Sequence, residues 1–368
     1  MTVLLTNLSG SLLLLLASPL FLTVPTMSNQ FAFPNPVQAH ALAISNFCEE
    51  LLQVFEELSL GIDADHRGDS LRSIRDGLIS LVKRIINPLI SAIRVELIPL
   101  VEALEIPNIS PVMKPAPSNK SSVIYHPSIV ALQTLMPQYA KVLIACTTTS
   151  HAALASLLIS VLWKSLVALS HRVDAKSFKK HRDAFPANTP PMTPSRFAIK
   201  LPPSRPSSPP TVLTHATPAQ DCKALYDLLV GVARPSDGQA REAVDEAFEG
   251  LRTLPDLLNA AKFKSDDLEN SQFLAKELNQ LTIEIPFLIS LPVILRTFGD
   301  SDTSQVASIL GISEQEYRKG CLSGFSRAEE CDETVGQRIL DILKTDTVPH
   351  YVVTQWLETE LEGMDDAS

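Results

Sequence analysis

Residues 183–218 read DAFPANTPPMTPSRFAIKLPPSRPSSPPTVLTHATP, with ten prolines in 36 positions. Proline lacks a backbone N–H and fixes φ, so neither a helix interior nor a central strand runs through such a stretch. Whatever the chain folds into must form on either side of it. The stretch itself is expected to be a disordered linker rich in Pro, Ser and Thr. A domain plan follows: an apolar N-terminal segment over 1–36, a basic helical bundle over 37–182, the linker over 183–218, and an acidic helical bundle over 219–364.

Hydrophobic spacing on both sides of the linker is helical. Leu42, Ile44, Phe47, Leu51, Leu52, Phe55 and Leu58 form one stripe; Leu71, Ile74, Leu78, Leu81, Ile85 and Leu89 form another, which Pro88 is expected to kink or end. Residues 106–127 hold five prolines and are read as a loop, followed by helices over 128–149 and 151–173. The second of these is apolar enough to invite a membrane reading. Yet Ser156, Ser160 and Lys164 recur every four residues as a narrow polar seam, and a mid-span lysine costs about 2.5–3.5 kcal/mol on insertion. It is therefore read as a bundle helix.

Beyond the linker, Ala240, Val244, Ala247, Phe248, Leu251 and Leu254 share an apolar face; Ser265 or Asp266 would cap the helix that follows, and EIPFLISLPVILRTFG reads as a short buried helix or irregular chain. No period-two alternation persists anywhere. With only 13 glycines and abundant Leu and Ala, the chain is expected to be all-α: two helical bundles, or one composite bundle, separated by the disordered segment.

Charge divides at the linker. Residues 1–218 carry 18 basic and 13 acidic side chains, a balance of +5, and residues 219–368 carry 13 and 28, a balance of −15. The two halves are expected either to attract one another or to serve different partners. Five cysteines at 48, 146, 222, 321 and 331, with no CxxC, argue against a disulfide framework and a zinc site. Buried free thiols are expected, although the spacing of Cys321 and Cys331 admits a bond across a helical hairpin.

The N-terminus leaves alternatives open. The apolar run Leu12–Val24 has the length of a signal-peptide core but no Lys or Arg before it, and it is short for a membrane span. A second methionine, Met27, is equally consistent with an upstream-extended reading frame. A membrane contact through residues 1–26 stays open on the first reading.

Near the other end, DTSQVASILGISEQEYRKG (302–320) has the spacing of a helix-turn-helix, with Val306, Ala307, Leu310, Gly311, Ile312 and Tyr317 as the expected core and turn of the hairpin. Its second helix opens Ser313, Glu314, Gln315, Glu316. Phosphate contacts need cations, so the charge argues against nucleic acid and for a structural hairpin.

The linker holds the clearest functional pattern. Thr193 stands in TPSR, the form of a proline-directed kinase site; Thr189, Ser208 and Thr217 precede proline in minimal versions. Lys200, Pro203 and Pro206 have the spacing of a polyproline ligand for SH3-like grooves. The stretch DADHRGD fails as a calcium loop, because Arg67 occupies a ligand position and Ile74 stands where a bidentate Glu belongs; it is read as an interhelix turn. His66 near Asp63 and Asp65, and His171 near His181, are left as open clusters.

No Walker loop, dinucleotide fingerprint, HExxH or GxSxG occurs. The expectation is a protein with no cofactor, no metal and no catalytic role. It would be a protein–protein interaction or regulatory scaffold of cytoplasm or nucleus, binding an unknown protein partner and controlled by a proline-directed kinase. Two alternatives are a DNA-associated regulator using 303–319 and an endomembrane or secreted helical protein using the N-terminal run.

Overall fold

The computed structural model describes residues 2–29, 31–60, 69–107, 123–144, 150–173, 214–260, 268–299, 305–346 and 350–367. Among these the protein is all-α, with 13 α-helices and a single pair of two-residue strands.

The first part comprises α1 (Thr2–Leu16), α2 (Pro36–Glu57), α3 (Asp69–Glu102), a 3-10 turn (Ala103–Glu105), β1 (Val123–Ile124), α4 (Pro127–Leu143) and α5 (His151–His171). The second comprises β2 (Thr214–His215), α6 (Pro218–Val230), α7 (Gly238–Ala260), α8 (Leu268–Thr282), α9 (Phe287–Phe298), α10 (Val306–Leu310), α11 (Glu314–Cys321), α12 (Phe325–Thr345) and α13 (Tyr351–Ala367).

Local chemistry sets several starts. Asn35 and Gln38 form a capping box ahead of α2, and Thr217 and Gln220 form one ahead of α6. In each, proline takes the first helical position, where a missing N–H costs nothing. Two expectations are narrowed. Helix α3 does not end at Pro88 but continues through Pro88 and Pro99, held by the packing of Leu78, Ile85, Ile86, Leu89 and Ile93, all at most 1% exposed. The linker boundary also shifts, because residues 214–218 are a strand and a capped helix start.

Helix α5 is the central element. It packs against α3 and the 3-10 turn, and also against α7 and α9. Two-thirds of its apolar window lies inside the protein, with Trp163, Leu162, Leu166 and Leu169 all buried. One contiguous cluster of buried side chains runs from Leu12 to Leu361, so apolar residues from both sides of the proline-rich stretch meet in one core. Polar contacts cross the same boundary. Trp163 Nε1 donates to the Leu322 carbonyl at 2.8 Å, and Arg296 donates to the Ser170 carbonyl at 2.7 Å.

The N-terminal run is folded onto this body. Leu12, Phe21, Val24 and Phe33 are buried. The Gln38 amide donates to the carbonyls of Phe21 and Thr23, and the Tyr139 hydroxyl donates to the Pro25 carbonyl at 2.6 Å.

Candidate functional site

The expected helix hairpin is present. Val306, Ala307, Leu310 and Tyr317 are buried. Gly311 adopts φ +70°, the left-handed turn that closes α10. Ser313 caps α11 and accepts from the Glu316 N–H, while the Glu316 carboxylate takes the Ser313 N–H and hydroxyl. Those bonds hold the Glu316 carboxyl below its ordinary range. Ile312 does not join the core as expected: it is 40% exposed. The glycine turn directs the next side chain outward, and the apolar contacts are completed instead by Tyr317 one helical turn later.

The outer face of α11 does not stand free. With α5 and the 3-10 turn it encloses a cleft of about 730 Å³. Val167, Ala168 and Leu322 give the floor its apolar surface; Glu102, Glu105, Lys164, Glu314, Arg318 and Lys319 contribute the charged walls. Lys164, the last member of the polar seam on α5, lies 3.0 Å from Glu102. The seam's Ser156 accepts from Arg94 of α3 at 2.9 Å.

Arg318 organises the cleft. Its two terminal nitrogens donate to both oxygens of Glu105, at 2.8 and 2.6 Å, and Nε donates to Glu314 at 2.6 Å. The Glu314–Arg318 spacing of four puts both on one helix face; the fork geometry of guanidinium completes the pair with Glu105. The Glu105 bonds raise the Arg318 pKa further above its ordinary value. His171 stands behind this network. Its Nδ1 lies 2.9 Å from the Val167 carbonyl, which favours the tautomer protonated there. Burial first, and the Arg318 charge second, lower its pKa, so the ring is neutral at physiological pH.

A second polar cluster lies at the strand pair. The Asp221 carboxylate takes the His126 N–H at 3.0 Å and an Arg172 N–H at 2.6 Å. His126 Nδ1 accepts from the Ser128 N–H and Nε2 faces the Ile106 carbonyl at 3.1 Å; burial and then Arg172 depress its pKa. Val123 and Ile124 pair in parallel with Thr214 and His215 alongside. Asp221, Arg172 and His126 thus bond one another and the neighbouring backbone, which fits a structural tie.

A third lies between α11 and α12, where Cys321 and Cys331 are free, half-buried thiols and the Cys331 Sγ lies 3.8 Å from the Gly320 carbonyl. Among the described residues, no three His, Cys, Asp or Glu side chains are placed to hold a metal.

Of the linker positions, Thr189, Thr193 and Ser208, like Lys200, Pro203 and Pro206, lie outside the described residues, as do His66 and His181. Thr217 lies among the described residues: its hydroxyl accepts from the Gln220 N–H at 3.3 Å and the following Pro218 is buried. The cleft itself was not foreseen. Glu314 and Arg318 carried a helix-face signal, but nothing in sequence links Arg318 to Glu105, 213 residues away.

No protein-family model matches the chain, and neither a curated protein nor a solved structure matches it.

Proposed function

We propose that this chain is a non-enzymatic interaction scaffold whose two helical halves act as one composite body, and that the cleft between α5 and α11 receives a short segment of a protein partner. One observation carries the reading. Five of the six ionic groups of the cleft are engaged with one another, Glu102 with Lys164 and Arg318 with Glu105 and Glu314. Such walls offer a preorganised mixed-charge rim above an apolar floor, the layout of a peptide-recognition groove rather than of a site holding a free nucleophile. Modification of Thr189, Thr193 or Ser208 by a proline-directed kinase would add negative charge beside the basic half and tune partner choice.

The DNA reading loses ground on the same geometry. Arg318, one of two cations on α11, is held by two carboxylates, leaving little for a phosphate.

The test is selection of peptides from a displayed library on the full chain, repeated with Gln315→Trp, which places a bulky ring at an exposed position of the cleft wall. Cleft-dependent binders are those lost in the variant. A selection whose binders all survive Gln315→Trp would end the reading. Phosphosite mapping of the native protein tests the linker separately, and an unmodified linker removes the kinase from it.

A further inference from the structure

The first charged residue of the chain is Glu49, so α1 and the turn after it contain none. Helix α1 buries Leu12 against the body, and a Cβ added to Gly77 of α3 would stand 3.4 Å from the Leu5 Cδ1. Its other face is exposed, and the character of that face changes along the helix. After Val3 at its start (74% exposed), Thr6, Asn7, Gly10 and Ser11 lie outward in the middle turns, whereas Leu13 (53%) and Leu14 (79%) lie outward at the end. The turn adds Leu20 and Leu22, both more than half exposed. Four leucines within ten residues thus project from one end of the helix. Asn35 braces the turn from behind, donating to the Leu20 carbonyl at 2.8 Å, so the leucines stand on a fixed support.

Leu16, the last residue of α1, also lines a shallow depression of about 630 Å³ on α3. That depression contains the exposed cations Lys83 and Arg84, and one acid, Asp76. Leu16, three residues after Leu13, thus brings the leucine-bearing end of α1 to two cations, and that pairing matches the two layers of an anionic lipid surface: acyl chains for the leucines, headgroup charge for the lysine and arginine. A protein partner or a second copy would need only the apolar part. At 15 residues, α1 is too short to cross a bilayer, which leaves contact in the plane of the interface.

We propose that the leucine-bearing end of α1 and its turn, together with Lys83 and Arg84 of α3, form a docking surface for anionic membranes. The surface uses no cleft residue, so its failure leaves the proposed peptide groove untouched, and the reverse also holds.

The experiment is sedimentation of the full chain with vesicles of phosphatidylcholine containing about 30% phosphatidylserine, against phosphatidylcholine alone. Binding to the anionic vesicles, at least about tenfold weaker on the neutral ones, is expected. Leu13→Ser with Leu14→Ser, at exposed positions, is expected to abolish it, and Lys83→Glu with Arg84→Glu to reduce it more than about tenfold. A Leu22→Trp reporter is expected to be quenched by brominated acyl chains. Absence of sedimentation, equal binding to neutral vesicles, or a Leu13→Ser, Leu14→Ser variant that binds like the parent would overturn the proposal. So would a dimer in analytical ultracentrifugation that the leucine changes dissolve while vesicles stay unbound.

Discussion

Arg172 and Asp221 face each other at 2.6 Å with side chains 3% and 0% exposed. The pair joins the residue after α5 to the first turn of α6, and the second Asp221 oxygen is taken by the His126 N–H. The ion pair therefore ties together chain from before and after the proline-rich stretch. Its sign agrees with the charge division of the sequence, a cation from the basic half and an anion from the acidic half. Another ionic tie across that boundary, Glu105 with Arg318, has the opposite sense. Gross charge asymmetry is thus not what joins the halves; buried apolar contact along α5 is.

Breaking one partner of a buried pair strands the other charge in a low-dielectric site. Asp221→Ala is expected to destabilise the protein by about 3–5 kcal/mol in chemical denaturation. Arg172→Met combined with Asp221→Leu should cost clearly less than the two single changes summed. Additivity within about 0.5 kcal/mol would show that the two side chains do not interact in solution.

Tyr139 tests the N-terminal run. Its hydroxyl, buried and donating to the Pro25 carbonyl, has its pKa pushed up by burial. Tyr139→Phe removes the donor and leaves that carbonyl unpaired, for an expected loss of about 1–2 kcal/mol. An unchanged denaturation midpoint would mean that residues 17–25 are not seated against α4 in solution.

Helical spacing made most of the fold legible before any coordinate. The stripes Leu71–Leu89 and Ala240–Leu254 lie on α3 and α7, and the Gly311 turn closes α10 with its positive φ. Spacing is a property of one element, however, and says nothing about which elements meet. The bidentate contact between Arg318 and Glu105 spans 213 residues, and the pairing of Val123 with Thr214 involves strands of two residues, too short for any periodic signal. Of the two outcomes expected at Pro88, a helix end is excluded for a related reason: a local penalty was outweighed by burial of the residues on either side of it. The leucines of α1 were visible only as an apolar run; their division into buried Leu12 and exposed Leu13 and Leu14 depends on α3.

Two glycines make opposite predictions. A Cβ on Gly336 of α12 would stand 2.9 Å from the Leu361 Cδ2 and 3.0 Å from the Phe287 ring, whereas one on Gly320 of α11 meets nothing within 4 Å. Gly336→Ala is expected to cost about 1–3 kcal/mol through overpacking between α9 and α13. Gly320→Ala should leave stability unchanged or raise it by up to about 1 kcal/mol from helix propensity. Thermal melts of the two variants decide it, and equal shifts would contradict the packing at α12.

Thiol reactivity should separate two classes. Cys48 and Cys222 are fully buried, and burial raises the Cys48 thiol to about 11 and that of Cys222 further. Cys321 is raised to about 11, by burial and then by Cys331, but both are half-buried. Access then decides. Native-state alkylation followed by peptide mass spectrometry is expected to label Cys321 and Cys331 well before Cys48 and Cys222. Early labelling of Cys222 would show that the α6–α7 contact opens readily.

Asp332 of α12 predicts a pH dependence. One of its carboxylate oxygens is buried with no hydrogen-bond partner among the described residues. Burial first, and Glu329 second, raise its pKa to about 7. In the unfolded chain an aspartate ionises near 3.9. Between those values the folded state keeps a proton that the unfolded state has released, so stability contributed by this group falls as pH rises from about 4 to about 7 and is level outside that window. His126 and His171, kept neutral by burial, act in the other direction: the unfolded chain takes up their protons as pH falls below about 6.5, and stability falls with it. The aspartate must therefore be isolated by difference. Asp332→Asn is expected to melt higher than the parent at pH 8, with a gap that narrows steadily toward pH 4. A gap that stays constant across that range would show that Asp332 is ionised normally and that its carboxylate reaches water.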